Sequence, residues 1–275
     1  MHKQLTAPAI AALKGERKIA MLTACDYPSA RFVDQSGMDV VLVGDSLAMV
    51  ELGREDTLSL TLDEMLHHCR AVCRGVERAL VVGDMPFMSY EASVEQAVRN
   101  AGRMLQEGGV RAVKVEGVEV LPQIKAMIKA GVPVMGHLGL TPQRVAALGG
   151  YSVQGKSAEA AQQCIDDARR LADAGCFSIV LETIPAVLAA RITEAVPVPT
   201  IGIGAGPDCD GQVLVFHDLL GLYDRFAPKF VKRYAALGGL IAEALTSYAE
   251  EVRSGAFPGP EHSFAMDPKN LETLT

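Results

Sequence analysis

The chain has 275 residues, 49% of them hydrophobic and 21% charged, with a formal net charge of −7. That length suits one large α/β domain or two small ones. The composition excludes a disordered chain or a coiled coil, and the mild acidity argues against a nucleic-acid partner, which leaves a basic footprint.

Residues 1–18 (MHKQLTAPAIAALKGERK) lack the continuous apolar segment of a secretory signal. No charge-free apolar run is long enough to span a bilayer. The cysteines at 25, 69, 73, 164, 176 and 209 are scattered. A cytoplasmic protein with reduced thiols and no membrane partner is expected.

Residues 1–17 predict a short helix outside the main fold. The first Val/Ile-rich run, KIAMLTA (18–24), follows it, and DVVLVGDS (39–46) is the second. Thr61-Leu-Asp-Glu64 then opens a helix with a capping-box pattern. The third run, ALVVGDMPF (79–87), repeats the Val-Gly-Asp ending of the second. Ser93-Val-Glu-Gln96 predicts another capping box. RAVKVEG (111–117) and VPVMGHLG (132–139) are the fourth and fifth runs, and GLTPQRVAALGGYSVQGKS (139–157) is a long loop and candidate lid. FSIVLETIP (177–185), VPTIGIGAG (198–206) and QVLVFHDLLG (212–221) complete the set of strands. Gly108, Gly131 and Gly175 stand where helices end before a new strand. A long helix over 228–253 and an irregular tail over 254–275 finish the chain.

Several runs are apolar on both alternations, as strands buried on both faces are. Eight of them alternating with helices predict a single-domain (β/α)8 barrel over 1–275. A doubly wound open sheet is the alternative. No heptad or apolar stripe in the sequence declares a subunit interface.

In a barrel, the C-terminal strand ends meet at one mouth, where active sites lie. Polar residues fall there: Asp45-Ser46, Asp84, Lys114 and Glu116, His137, Glu182-Thr183, and the glycine run 202–206. Lys114 and Glu116 are two apart and point to one side. Asp45, Asp84 and Glu116 are hard oxygen donors suited to Mg²⁺. Lys114 balances their charge or holds an oxyanion, and Glu182 is left as a carboxylate base. Each Asp alone also suits a helix N-cap or turn. His137 also suits a plain hydrogen-bonding role, and Lys114 a simple pairing with Glu116.

Other motifs are weaker. His67-His68-Cys69 with Cys73 has metal-like residues but falls inside a helix, where packing is the expected role. Gly202-Ile-Gly-Ala-Gly206-Pro207 breaks the dinucleotide fingerprint at Pro207. Anion binding or close packing at the mouth remains for that turn.

MLTACDYPSA (21–30), VVLVGDSLAMV (40–50), VVGDMPFMSY (81–90), AVKVEG (112–117), PVMGHLGLTPQ (133–143), GGYSVQGK (149–156), VLETIP (180–185), IGIGAGPDCDGQVLVFHDLLG (201–221) and EHSF (261–264) together resemble the ketopantoate hydroxymethyltransferase family. The resemblance covers nearly the whole chain. It implies a barrel of the phosphoenolpyruvate/pyruvate-binding type and a cytoplasmic homodecamer. It implies transfer of a one-carbon unit from 5,10-methylenetetrahydrofolate to 3-methyl-2-oxobutanoate, giving 2-dehydropantoate for pantothenate synthesis. The matching positions are Asp45, Asp84 and Glu116 for Mg²⁺, Asp45, Ser46, Asp84 and Lys114 for the keto acid, and Glu182 for the proton. His137 is a further candidate substrate contact. Cys25 departs from the Tyr of many relatives, and Val118 from a frequent Gly. A Mg²⁺-dependent lyase or mutase acting on another 2-oxo acid is the alternative activity, and a non-catalytic scaffold barrel the alternative class.

Overall fold

The computed structural model describes residues 4–226 and 228–271. Residues 1–3 of the expected N-terminal extension and 272–275 of the expected tail lie outside the described residues. The strands are β1 (Ile19–Thr23), β2 (Val40–Val43), β3 (Leu80–Asp84), β4 (Ala112–Lys114), β5 (Val134–Gly139), β6 (Ser178–Glu182), β7 (Thr200–Ile203) and β8 (Gly211–Leu214). The helices are α1 (Ala7–Ala11), α2 (Tyr27–Gln35), α3 (Leu47–Val50), α4 (Leu62–Gly75), α5 (Val94–Gln106) and α6 (Leu121–Lys129), then α7 (Val145–Leu148), α8 (Ala158–Asp173), α9 (Ala186–Ala195), α10 (Phe216–Leu220) and α11 (Leu237–Ser254). Every strand runs parallel to its neighbours, and β8 pairs with β1 to close the barrel. Closure rules out the open sheet.

The two-residue period of a strand sorts the side chains. Val41, Val43, Val81, Val113, Ile179 and Leu181 point outward and pack under the helices. Met21, Val40, Leu42, Leu80, Val82, Ala112, Met135, Val180 and Ile201 point inward as one apolar cluster. Ala7 and Ile10 of α1 join that inner cluster and cover the N-terminal strand ends. The short N-terminal helix is therefore a plug, held by Leu5 N–H donating to Arg78 O at 2.8 Å.

Helix ends follow local chemistry. Thr61 and Glu64 cap α4 reciprocally. Ser93 caps α5 through Gln96 N–H, but the Gln96 side chain donates to Met88 O instead of returning to the cap, so the second expected box is half formed. Gly131 and Gly175 take left-handed backbone, whereas at the third site Gly109, not Gly108, does so.

Two expected spans change. The run 212–221 divides: the strand stops at Leu214 and α10 begins at Phe216, whose N–H donates to Thr23 Oγ1 at 2.9 Å. The final helix begins at Leu237 rather than 228. Pro228 opens a turn whose Phe230 folds back onto the barrel mouth over Gly204. The tail is irregular apart from short 3-10 turns at Pro260–His262 and Pro268–Leu271.

Candidate active site

One step beyond the inner apolar layer, the same alternation turns polar. Leu80 and Val82 lead to Asp84, Ala112 leads to Lys114, Met135 to His137, and Val180 to Glu182. Glu116 lies just past β4, and Asp45 and Ser46 just past β2. These residues form the floor of a cavity of about 810 Å³, a size that suits small-molecule sites. The run of Val and Leu ends on carboxylates because the barrel core ends there and the mouth begins.

Asp84 and Lys114 are register partners across β3 and β4, and Lys114 Nζ lies 2.7 Å from Asp84 Oδ1. The expected Lys114–Glu116 pair is thus replaced by a cross-strand pair. Asp84 Oδ2 accepts the Asp45 N–H at 3.0 Å. Glu116 Oε1 is 3.3 Å from His137 Nδ1, and His137 Nε2 is 3.2 Å from Glu182 Oε2. All of these side chains are buried except that of Glu182, which is 17% exposed.

Electrostatics follow from this packing. Burial, with Asp84 and Glu116 close by, pushes Asp45 up to about 7. Burial also raises Asp84, against the pull of Lys114. Burial and the Lys114 charge act to lower His137, but Glu116 and Glu182 outweigh them and hold it up to about 9. Burial alone would raise Glu116, yet His137 and Lys114 keep it below its ordinary value. Burial disfavours the Lys114 charge, but Asp84, Glu116 and Asp45 more than offset that.

Two residues absent from the sequence reading organise this floor. Gln143, in the 3-10 turn Pro142–Arg144 after β5, donates from Nε2 to Asp45 Oδ2 at 2.8 Å and to Met85 O at 3.0 Å. Its backbone N–H donates to Glu116 Oε2 at 3.0 Å. Tyr90 donates its hydroxyl proton to Gln143 Oε1 at 2.8 Å and accepts the Glu116 N–H at 3.2 Å. Both sit in motifs quoted above, GLTPQ and DMPFMSY, but neither ends a strand.

Asp45, Asp84 and Glu116 meet around Lys114 and Gln143, and their oxygens do not form a group of three within 4.8 Å; among the described residues only Cys25, Glu51 and His217 do. The floor still fits a hard cation. Asp84 Oδ1 and Glu116 Oε1 are buried without a hydrogen bond, for although Lys114 and His137 are near, neither is aligned to donate to them. Four carboxylates also face only two basic groups there, an excess that a divalent ion neutralises.

Glu182 is held from behind. Its carbonyl accepts the Leu140 N–H at 2.9 Å, and a Cβ at Gly139 would collide with that carbonyl. Thr183 follows at φ +50, an uncommon backbone for a β-branched residue. The candidate lid lies over the cavity, where Tyr151 and Val153 line it and Gln154 N–H donates to Thr183 O at 3.0 Å. The glycine turn after β7 serves close packing: a Cβ at Gly204 would lie 2.6 Å from Phe230. Cys69 and Cys73 pack into the core from α4, as expected of a helix face.

The molecule is thus a closed (β/α)8 barrel with an acidic, lysine-bearing site at its C-terminal mouth. Solved structures share that fold. A phosphoenolpyruvate phosphomutase from Streptomyces platensis subsp. rosaceus superposes with a TM-score of 0.62 at 14% identity, covering 98% of this chain and 94% of that one. A phosphonopyruvate hydrolase solved with oxalate and Mg²⁺ gives 0.61 at 13%, covering 98% and 94%. In sequence, the chain is 66% identical to the 3-methyl-2-oxobutanoate hydroxymethyltransferase of Syntrophobacter fumaroxidans, over 97% of this chain and 95% of the relative. The family model for ketopantoate hydroxymethyltransferase matches residues 4–260, and the chain belongs to that family of enzymes.

Proposed function

We propose that the chain transfers a hydroxymethyl group from 5,10-methylenetetrahydrofolate to 3-methyl-2-oxobutanoate, giving 2-dehydropantoate. The observation that carries this reading is the division of labour among the floor carboxylates. Asp45, Asp84 and Glu116 are tied to Gln143, Lys114 or His137, whereas Glu182 is partly open to the cavity and, among the described residues, its carboxylate pairs only with His137. Family membership supplies the substrate.

Asp45, Asp84 and Glu116 would hold Mg²⁺. When bound, it supplies Lewis-acid polarisation of the 2-oxo acid's carbonyl, making the neighbouring C–H more acidic. Lys114 and Ser46 orient the carboxylate and keto oxygen. Glu182 removes the C3 proton, with His137 fixing its carboxylate from the side. Lys114 stabilises the enolate charge; the enolate carbon bonds to the one-carbon unit, water supplies the hydroxyl oxygen, and both C–N bonds to the folate break so that tetrahydrofolate leaves. Met49, Val50, Tyr151, Ile184, Phe226 and Phe230 give the cavity an apolar wall against which the ring system of the folate can pack. The lyase or mutase alternative rests on fold likeness alone.

We place the enzyme in the cytoplasm, in keeping with its free cysteines. No helix among the described residues is long and apolar enough to cross a membrane. We also read it as a homo-oligomer, with the decamer implied by the family resemblance. Helix α11 supports association: it buries none of its residues, and Leu240, Ile241, Leu245, Tyr248 and Val252 stand exposed along it. The sequence alone had shown no such stripe, because it cannot tell which helix faces the barrel covers.

The test is deuterium exchange at C3 of 3-methyl-2-oxobutanoate in D₂O, followed by proton NMR. Exchange is expected with Mg²⁺ and not with chelator. Glu182→Gln is expected to slow it by roughly 10²–10⁴-fold while keto-acid affinity by calorimetry stays within a few-fold. Unchanged exchange in that variant removes Glu182 as the base.

A further inference from the structure

A second cluster of ligand atoms stands beside the catalytic floor and takes no part in it. Cys25 lies just past β1, Glu51 just past α3, and His217 in α10. Cys25 Sγ is 3.5 Å from Glu51 Oε2, and His217 Nε2 is 3.3 Å from the same oxygen. The three ligand atoms all lie within 4.8 Å of one another. Tetrahedral zinc, with its usual bond lengths to S, N and O, requires ligand–ligand edges of roughly 3.3–3.6 Å. The two edges through Glu51 match that, and the Cys25–His217 edge lies within 4.8 Å.

A small cavity adjoins two of the three ligands. It measures about 10 Å³ and is lined by Cys25 and His217, not by Glu51, between them and the Gly44–Ser46 turn. That is about the room of one water or one bare ion. The backbone of Cys25 is fixed on both sides. Its N–H donates to Ser29 Oγ at 3.3 Å, and its carbonyl accepts from His68 Nδ1 at 2.6 Å. Such outer contacts hold a ligand in place for a metal. Glu51, whose side chain is 38% exposed, gives a route from solvent.

We infer that Cys25, Glu51 and His217 form a second cation site, for a borderline-soft divalent metal of the Zn²⁺ class, stapling the β1 end, α3 and α10 together. The thiolate and imidazole distinguish it from the all-oxygen floor, which suits a hard ion. Binding converts Cys25 S–H to a sulfur–metal bond and releases the thiol proton to solvent. Ser46 and Thr23 line both this small cavity and the large one, so the staple braces one wall of the catalytic mouth.

The experiment titrates Co²⁺ into the full-length protein held in excess Mg²⁺, which occupies the floor. Co²⁺ bound to a thiolate shows a near-ultraviolet charge-transfer absorption, and no cysteine lines the large cavity to produce one there. The expected result is a band that saturates at one Co²⁺ per chain. It disappears in Cys25→Ala, and Co²⁺ binding weakens at least about tenfold in Glu51→Gln and His217→Ala. Zn²⁺ is expected to raise the melting temperature of the unmodified protein and not that of Cys25→Ala, while both catalyse Mg²⁺-dependent C3 exchange. Absence of the thiolate band, or its survival in Cys25→Ala, overturns the site. A Zn²⁺-induced stabilisation equal in both proteins does the same.

Discussion

Tyr90 and Gln143 show how one buried residue sets the geometry of others. Gln143 spends both of its amide protons on Asp45 and Met85 and its carbonyl on Tyr90. Removing the Tyr90 hydroxyl leaves the buried Gln143 carbonyl and Glu116 N–H without this partner. Such loss costs about 1–3 kcal/mol. Tyr90→Phe should therefore lower the unfolding free energy by that amount, read as a lower urea midpoint at unchanged slope, and raise KM for the keto acid. An unchanged midpoint would mean that water replaces the hydroxyl. Asp45, Asp84, Lys114, Glu116, His137 and Glu182 were legible in the sequence because each ends an apolar run. Gln143 and Tyr90 were not, because each lies in a loop and reaches the site only through the turn that carries it.

At the level of strands and loops, the β5–β6 pair positions the proposed base. Gly139 is the register partner of Glu182 and has φ +92, with the Glu182 carbonyl where a side chain would stand. Gly139→Ala must push that carbonyl aside. It should lower kcat far more than it raises KM, and thermal scanning should show a loss of stability; a variant with normal kcat would detach Glu182 from this turn. At the opposite end of the barrel, Arg17 clamps Asp39, with contacts of 2.6 and 2.8 Å to its two oxygens. Burial pushes Asp39 up, but Arg17 and the Ala20 N–H outweigh it and hold it below its ordinary value. A depressed carboxyl stabilises the fold above its unfolded value of ~3.9, and that contribution is lost as pH falls through the folded value. Asp39→Asn should thus cost about 1 kcal/mol near pH 7, a modest figure because Arg17 is half exposed. Urea midpoints of the two proteins should converge in acid, below the ordinary carboxylate range. A gap that stays constant with pH would assign the loss to packing.

For the molecule as a whole, the eighth helical layer is unusual. Among the described residues, the short α10 follows β8, and α11 buries none of its residues and carries an uncovered apolar stripe. Covering it with a second copy removes that surface from water. Leu245→Glu places a charge in the middle of the stripe and should shift the sedimentation coefficient toward that of a smaller assembly. Association unchanged by Leu245→Glu would move the interface elsewhere on the barrel.

The amino-acid sequence by itself determined the barrel, its strand order and the polar mouth. A parallel barrel buries its strands on both faces, so they read as near-continuous apolar runs, and their polar ends mark where the core stops. Tertiary structure decided what no linear spacing carries. It paired Lys114 with Asp84 across two strands, brought Gln143 under Asp45, and split the eighth run into strand and helix at Thr23. It also assembled Cys25, Glu51 and His217 from three elements far apart in the chain. Each of these is a contact between segments distant in sequence, and barrel closure alone sets which distant segments meet.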